Sequence, residues 1–225
     1  MKQRMTMMKR LVCTLGATAL LAGALTACVP LVVGGAVAGG SLLAIDRRTS
    51  GAQLEDEGIE LRASSRIRGT FGDRVHVNLT SYNRHVLLTG EVPSALLKQQ
   101  VEQVVAGVEN AVSVVNELAL MSQTSISQRS NDVFLTGRVK AMLLDAPDLQ
   151  SNAFKVITER STVYLMGRVT QREADRATQV VRSTPGVQKV IRVFEVISEQ
   201  ELARLAPPAK PQPAQPASLS KPADN

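Results

Sequence analysis

The sequence has few of the side chains on which catalysis and metal binding depend. It contains two cysteines, two histidines and no tryptophan, and aromatic residues make up only 3% of the chain. Hydrolytic or metal chemistry needs a base beside a nucleophile, or several ligands at short spacing, and neither His76 nor His85 has such a neighbour in the sequence. The glycines lie singly and form no phosphate-binding loop. We therefore expect a protein that is not an enzyme, has no cofactor or metal site, and folds around an aliphatic core.

The first 28 residues are typical of a bacterial lipoprotein export signal. Four basic residues within residues 1–10 precede an apolar stretch at residues 11–27 that contains no charge. This stretch runs into Leu25-Thr26-Ala27-Cys28, the lipobox pattern that marks an acylated cysteine. Residues 1–27 are therefore predicted to be a cleaved signal peptide, and Cys28 is predicted to be lipidated. The mature chain would then be attached to a membrane and face the periplasm.

The residues after Cys28 favour a lipid anchor over a membrane-spanning helix. Apolar residues continue from Val29 to Ile45, so an uncleaved anchor is the alternative, but the many glycines in this stretch make it a weak span. Cys13 leaves with the signal, so Cys28 is the only cysteine of the mature chain and no disulfide is expected. Val29 stands where an aspartate would retain an enterobacterial lipoprotein at the inner membrane, which indicates the outer membrane.

The charge distribution argues against nucleic acid as a partner. The formal net charge is +6, but four of the 26 basic residues lie in the predicted signal peptide, so the mature chain is close to neutral against its 20 acidic residues. The surplus of basic residues falls in residues 129–200, which suits this half to an anionic surface. The carboxylates of Glu55, Asp56 and Glu57 stand at a predicted helix start, where the helix dipole favours them.

The middle of the chain contains an internal repeat at an offset of about 77 residues. Residues 86–92 (VLLTGEV) and 163–169 (VYLMGRV) both alternate apolar and polar side chains around a glycine, as strands do. An earlier strand, at residues 75–79 and 154–157, is joined to each of them by a short polar turn, which predicts two hairpins. His76 alternates with valines on the first of these strands and is expected to face solvent.

Helices complete each copy of the repeat. Apolar spacing predicts helices at residues 93–106 and 170–184, with Pro93 in a first helical turn, and opening helices at about residues 53–68 and 131–144. A further strand follows the second helix of each copy. The order is therefore helix, strand, strand, helix, strand, twice over. This pattern predicts the α+β class, with two three-stranded sheets that each carry two helices on one face.

These motifs resemble the BON domain. The resemblance rests on Tyr82-Asn83, on Val86-Leu87-Leu88-Thr89-Gly90 and on Ser130-Asn131-Asp132, together with a closing Gly-Val segment in each αββαβ copy. Two such copies behind a lipobox are similar to the dual-BON-domain outer-membrane lipoproteins. The resemblance implies two tandem BON sandwiches without enzyme activity and a role in outer-membrane integrity.

The chain is accordingly predicted to contain five segments. The signal peptide at residues 1–27 is followed by a lipidated, glycine-rich tether at residues 28–50. The first BON domain spans residues 51–122 and the second spans residues 123–200. The segment at residues 201–225 is rich in proline and alanine, so it is predicted to be a disordered tail.

The opening helix of the second copy carries the strongest binding signal. With Val139 at the centre of its buried face, helical geometry places Leu135, Met142 and Leu143 against the sheet. The opposite face should then be polar, but it is an apolar ridge bordered by two cations, as in helices that lie in an anionic lipid interface. The residues of this predicted phospholipid-binding surface are Val133, Phe134, Gly137, Arg138, Lys140, Ala141 and Leu144.

The resemblance implies the same use for this helix. The proteins that the chain resembles bind anionic phospholipid, notably phosphatidylglycerol, through this helix, and Phe134 stands where they carry an aromatic residue. Two alternatives remain open. In one, the ridge packs on the first domain or on the tail. In the other, the protein is a periplasmic scaffold that binds envelope proteins such as the outer-membrane assembly machinery, and lipid is supplied only by the anchor.

Overall fold

The computed structural model describes residues 46–205, in which the same order of elements occurs twice. The N-terminal repeat (residues 50–120) consists of α1 (Ser50–Phe71), a 3-10 turn (Gly72–Arg74), β1 (His76–Tyr82), β2 (His85–Val92), α2 (Ala95–Ala106), β3 (Ser113–Asn116) and β4 (Ala119–Leu120). The C-terminal repeat (residues 126–196) consists of α3 (Ile126–Leu144), a 3-10 turn (Ser151–Ala153), β5 (Lys155–Glu159), β6 (Thr162–Val169), α4 (Gln171–Arg182) and β7 (Lys189–Val196), and α5 (Glu199–Leu205) follows it. The predicted order of helix, strand, strand, helix, strand is confirmed in both repeats, whereas β4 and α5 were not predicted.

The first four helices each begin at a short polar side chain that satisfies the helix's own backbone. Thr49, Ser94, Ser125 and Thr170 are the N-cap residues, and each accepts a hydrogen bond from the amide three residues ahead. Pro93 therefore precedes the cap of α2. Its predicted place in the first helical turn is wrong, because Ser94 caps the helix and the first helical residue is Ala95.

Each repeat contains a mixed sheet. β2 pairs antiparallel with β1 and parallel with β3, and the short β4 extends the parallel pairing to the end of β2. β6 likewise pairs antiparallel with β5 and parallel with β7. Parallel neighbours need a crossover connection, which α2 and α4 supply. The predicted α+β class is therefore confirmed for both repeats.

Two-residue turns close both hairpins and require a left-handed backbone. φ is +48° at Asn83 and +69° at Arg84, and the matching turn has +50° at Arg160 and +59° at Ser161. Positive φ at both central residues defines the type I′ turn, whose twist matches that of antiparallel strands. None of the four residues is a glycine, so the surrounding structure must compensate for the backbone strain.

A buried carboxylate from the opening helix of each repeat holds the hairpin turn in place. Asp56 of α1 accepts hydrogen bonds from both amides of the first turn, at 2.8 and 2.7 Å, and is 2% exposed. Asp132 of α3 accepts from both amides of the second turn, at 2.8 and 2.9 Å, and is 4% exposed. The sequence predicted that Asp56 stands at the start of a helix and interacts with the helix dipole. The structure shows that α1 begins six residues earlier, at Ser50, and that the Asp56 side chain points inward to the hairpin turn.

Each sheet packs its two helices against one face and the other repeat's sheet against the opposite face. The first face forms one aliphatic core per repeat, which contains Leu88 and Val101 in the N-terminal repeat and Leu165 and Val181 in the C-terminal repeat. The opposite faces meet in a third cluster, which we call the seam. The seam consists of Tyr82, Leu87, Tyr164 and Met166, with Val115, Ile157, Ile191 and Val193 packed around them. The layer order is helix, sheet, sheet, helix.

The predicted tail and the predicted signal peptide lie mostly outside the described residues. α5 continues to Leu205, so the first five residues of the predicted tail are helical, while residues 206–225 lie outside the described range. Residues 1–45, with the predicted signal peptide and Cys28, also lie outside it. Within residues 46–205 no helix is both long enough and apolar enough to cross a bilayer.

Candidate functional site

The outer face of α3 presents a row of apolar side chains to solvent. Val133, Phe134 and Leu144 are 71%, 74% and 71% exposed, and they lie on the same side of the helix. Gly137 lies between them, and no atom lies within 4 Å of the position that a Cβ there would occupy. All seven residues of the predicted surface are exposed. We call them the α3 ridge: Val133, Phe134, Gly137, Arg138, Lys140, Ala141 and Leu144.

The inner face of α3 fixes the direction in which the ridge points. Leu135, Val139 and Leu143 are buried in the core of the C-terminal repeat, at the spacing of one helix face. Met142, predicted to lie with them, is 37% exposed and stands at the border of the buried face. The rotation of the helix about its axis is therefore the one that the sequence predicted.

All exposed charges of α3 are positive. Its single acidic residue, Asp132, is buried under the hairpin turn, whereas Arg138 and Lys140 are exposed beside the apolar row. Arg138 donates a hydrogen bond to the carbonyl oxygen of Pro185, 2.7 Å away, so its guanidinium lies over the turn between α4 and β7. The helix thus presents apolar groups flanked by cations, which is the arrangement that anionic headgroups and acyl chains favour.

The matching helix of the N-terminal repeat has a different surface. Leu54 and Leu61 of α1 are 71% and 73% exposed, so this helix also presents apolar groups. Its charges are mixed, however, and Arg62 is held by Glu55 at 2.6 Å. The acidic residues of α1 are Glu55, Asp56, Glu57 and Glu60. Of the two opening helices, only α3 therefore combines exposed apolar groups with exposed charges of one sign.

The structure extends the apolar row by one residue that sequence reasoning missed. Ile126, in the first turn of α3, is 82% exposed and lies seven residues before Val133 on the same side of the helix. The predicted helix began near Asn131, which excluded it. The sequence did contain a signal, because Ser125 followed three residues later by Gln128 is a capping pattern, and Ser125 does cap the helix.

The contacts between the repeats leave the α3 ridge uncovered. The repeats meet through their sheets at the seam, on the side of the C-terminal repeat opposite α3. Polar contacts at the rim also join the repeats without involving α3, such as Asn78 to Glu159 at 2.7 Å and Lys155 to Glu60 of α1 at 3.3 Å. Within residues 46–205 the ridge therefore does not pack on the first repeat, and that alternative is wrong.

Glu91 is the buried centre of the polar network at the rim of the seam. It is 2% exposed and accepts hydrogen bonds from Arg160 of the other repeat at 2.9 Å, and from Thr124. His76 lies 2.8 Å from it, because the two residues are opposite each other on β1 and β2. His76 is 26% exposed, so the expectation that it faces solvent holds only in part. Burial raises the pKa of Glu91, but hydrogen bonds from Thr124 and His76 outweigh it, and the pKa lies below its usual value of 4.5.

Three buried carboxylates, Glu91, Asp56 and Glu173, predict a loss of stability in acid. The pKa of each is lowered, since hydrogen bonds outweigh the opposing effect of burial. Such carboxylates stabilise the fold above their unfolded pKa, and this contribution disappears as the pH falls through the folded pKa. We expect the melting temperature, measured by circular dichroism, to be constant from about pH 7 to about pH 5 and to fall below about pH 4. An unchanged melting temperature at about pH 3 would contradict this role.

Two further expectations concern sites other than the ridge. Among residues 46–205 no group of three or more His, Cys, Asp or Glu side chains is placed to hold a metal ion. Cys28, the predicted lipidation site, lies outside the described residues, so it stays a prediction from the lipobox.

Comparison with known proteins identifies both repeats. Residues 56–121 and residues 131–198 each match the BON domain. The chain is 35% identical over 192 residues to the outer membrane lipoprotein DolP of Haemophilus influenzae, covering 84% of this chain and 97% of the relative. It is 30% identical to a 21 kDa hemolysin of Actinobacillus pleuropneumoniae, over 68% of this chain and 80% of the relative. It is 29% identical to the osmotically inducible protein Y of Escherichia coli, over 51% of this chain and 58% of the relative.

Proposed function

Because the chain belongs to the BON-domain family, with two BON domains in tandem, we propose that it is a non-catalytic, lipid-anchored protein of the outer membrane that faces the periplasm. In this proposal Cys28 carries the acyl chains and the α3 ridge of the second BON domain binds anionic phospholipid of the phosphatidylglycerol type. The protein would thereby support the integrity of the outer membrane.

The anchor is supported by the sequence before the folded region. The lipobox at Cys28 follows a basic and then apolar segment, and a relative that matches 84% of the chain is itself an outer membrane lipoprotein. Acyl chains contribute about 0.8 kcal/mol per buried methylene, so a multiply acylated cysteine holds a protein at a bilayer without a spanning helix. The partner of the anchor is the membrane itself.

Binding of anionic lipid is supported by one observation above all. The α3 ridge exposes Phe134 at 74% and Val133 and Leu144 at 71% each, while the only acid of that helix is buried. Leaving large apolar groups in water is unfavourable, and a soluble surface rarely collects them in a row. Burying the row at the acyl boundary would remove this cost, and Arg138 and Lys140 would then lie at the depth of the headgroup phosphates.

Charge reversal on the ridge is expected to abolish binding to anionic vesicles. A fragment of residues 43–225 lacks Cys28 and contains both sheets, so its binding reports recognition by the folded region and not by the anchor. Each cation near an anionic surface contributes about 1 kcal/mol, so Arg138→Glu with Lys140→Glu should weaken binding at least thirtyfold (~2 kcal/mol). Flotation with phosphatidylglycerol vesicles, and with phosphatidylcholine vesicles for comparison, measures this.

The control is a charge reversal of the same size on the other opening helix. Arg66→Glu with Arg68→Glu on α1 changes the net charge equally and should leave vesicle binding within about twofold of the unmodified fragment. Equal loss in both double variants would indicate attraction by net charge alone. Full binding by the Arg138→Glu, Lys140→Glu variant would overturn the lipid-binding proposal.

The second candidate function is a periplasmic scaffold for envelope proteins, such as the outer-membrane assembly machinery. The exposed Leu54 and Leu61 on α1 favour it, since they lie seven residues apart on one helix face, on the layer of the fold opposite α3. In this case the anchor alone would supply lipid attachment, and the fragment of residues 43–225 would not bind anionic vesicles at all.

A further inference from the structure

A three-residue segment before α1 contacts both BON domains. Asp46, Arg47 and Arg48 precede the first matched residue, 56, and lie near the end of the predicted tether, residues 28–50. The predicted tether therefore extends too far, since Arg47 is buried and α1 begins at Ser50. Arg47 is 7% exposed, and its guanidinium donates to both carboxylate oxygens of Glu173, at 2.8 and 2.7 Å. Glu173 belongs to α4 of the second domain, 126 residues away. A segment outside the matched domains thus forms a buried, bidentate ion pair with the more distant of the two.

Further contacts fix Arg47 on the second domain. Its guanidinium also donates to the backbone oxygen of Arg168 at 2.9 Å and to the side chain of Gln150 at 3.3 Å. Arg168 in turn donates to the backbone oxygen of Arg47 at 3.3 Å, so both the side chain and the backbone of Arg47 are hydrogen-bonded to the second domain. Such reciprocal contacts define one geometry for the segment.

Arg48 is held by the first domain. It donates to Asp56 at 2.8 Å, the carboxylate that also caps the first hairpin turn. Its guanidinium lies 4.2 Å from the centre of the Tyr82 ring, which is part of the seam. Asp46 binds the same guanidinium at 2.7 Å and orients it. Consecutive arginines therefore bind opposite domains, one on each side of the seam.

Both carboxylates that receive these arginines are already used within their own domains. Glu173 accepts from the backbone amide of Thr170 and completes the capping box of α4, and it is 3% exposed. Asp56 is 2% exposed. If the arginines withdrew, each domain would retain a buried charge without its cation, which is strongly unfavourable. The segment is therefore bound in a site that both domains build.

We propose that Asp46, Arg47 and Arg48 form a clasp that keeps the two BON domains docked, so that the chain leading to the lipid anchor, and not only the connection at residues 121–125, sets how the domains are held together. Arg47 and Arg48 are positioning residues in this proposal. Because the clasp lies near the end of the segment predicted as the tether, docking at the seam and the attachment of the chain to the membrane meet at the same three residues.

The experiment measures exposure of the seam in the full-length chain, kept in detergent without anionic lipid. Met166 is fully buried in the seam, whereas Met142 is 37% exposed on α3 and reports the intrinsic reactivity of an accessible methionine. Oxidation by dilute peroxide, followed by peptide mass spectrometry, gives both rates. In Arg47→Ala we expect Met166 to oxidise more than about tenfold faster, and Met142 to react at its original rate.

A matched control removes an ion pair elsewhere in the same domain. Arg192→Ala breaks an exposed pair with Asp175 on the helix-covered side of the sheet and should leave Met166 protected. Hydrogen exchange of β5, β6 and β7 identifies undocking, because their amides stay protected if the second domain remains folded. Unchanged protection of Met166 in Arg47→Ala would overturn the clasp.

A second variant decides the case in which Arg47→Ala unfolds the second domain. Arg48→Ala removes the contact with the first domain only and leaves Arg47 on Glu173. Faster oxidation of Met166 with protected β5 to β7 amides then supports the clasp, and continued protection of Met166 overturns it. Since no anionic lipid is present, the result does not depend on whether the α3 ridge binds phospholipid.

Discussion

Replacing Gly90 with alanine is expected to destabilise the N-terminal repeat by about 3 kcal/mol or more, which is a large fraction of the roughly 5–15 kcal/mol that stabilises a typical domain. A Cβ at this position would overlap the backbone oxygen of His76 on the neighbouring strand and lie 3.3 Å from Cα of Val77. The φ angle of Gly90 is +112°, a conformation that residues with a side chain rarely adopt. Neither the neighbouring backbone nor the φ angle can change without breaking the β1–β2 pairing.

The matching position in the second repeat separates the two causes. A Cβ at Gly167 would overlap the backbone oxygen of Ala153, but φ at Gly167 lies outside the left-handed region. Gly167→Ala should therefore cost less than Gly90→Ala, by about 1 kcal/mol or more for the absent backbone strain. Urea unfolding followed by circular dichroism measures both.

A glycine without a close neighbour is the control for these two variants. Gly69 lies within α1, and no atom is within 4 Å of the position of its Cβ. Gly69→Ala should raise the free energy of unfolding by about 0.5–1 kcal/mol through helix propensity. Stability losses below 1 kcal/mol at Gly90 and Gly167 would show that the strands can separate to admit a methyl group.

Removal of the carboxylate of Asp56 is expected to cost about 3–5 kcal/mol. This side chain accepts from four donors, the two turn amides, the hydroxyl of Ser81 at 2.6 Å and the guanidinium of Arg48 at 2.8 Å. In Asp56→Ala the turn amides and the Arg48 charge would lose their acceptor in a buried place. Urea unfolding curves of the variant and the unmodified chain measure the difference.

The equivalent variant in the second repeat should have a smaller effect. Asp132 accepts from the two turn amides and from Gln128 at 3.2 Å, and it has no arginine partner among the described contacts. Asp132→Ala is therefore expected to cost about 2–3 kcal/mol, from the unsatisfied turn amides alone. If Asp132→Ala proved as costly as Asp56→Ala, the contribution assigned to Arg48 would be wrong.

Local patterns predicted those features that depend on neighbours within one element. The alternation in residues 86–92 and 163–169 predicted the two central strands, and the spacing of Leu135, Val139 and Leu143 predicted how α3 is turned. The α3 ridge followed from the same spacing, since the face opposite the buried one must be exposed. Its use by phospholipid is a proposal that the vesicle experiment tests.

The errors arose where a side chain acts on a partner in another element. The expectation that His76 faces solvent holds only in part, because its neighbour on β2 is a buried glutamate, and strand pairing is invisible in the alternation of one strand. Asp56 was predicted to belong to an acidic run at a helix start, but it accepts hydrogen bonds from the amides of a turn that begins 27 residues later.

The sequence by itself determined the order of the elements, the α+β class, the repeat and the face of α3 that points outward, because each follows from periodicity and capping within a few residues. Only the tertiary structure decided that the two sheets pack face to face at the seam, that Glu91 joins the repeats and that Arg47 pairs with Glu173 across 126 residues. The physical reason is that an apolar strand face or a single arginine has many possible partners along the chain. The choice among them depends on which surfaces remain uncovered once each repeat has folded.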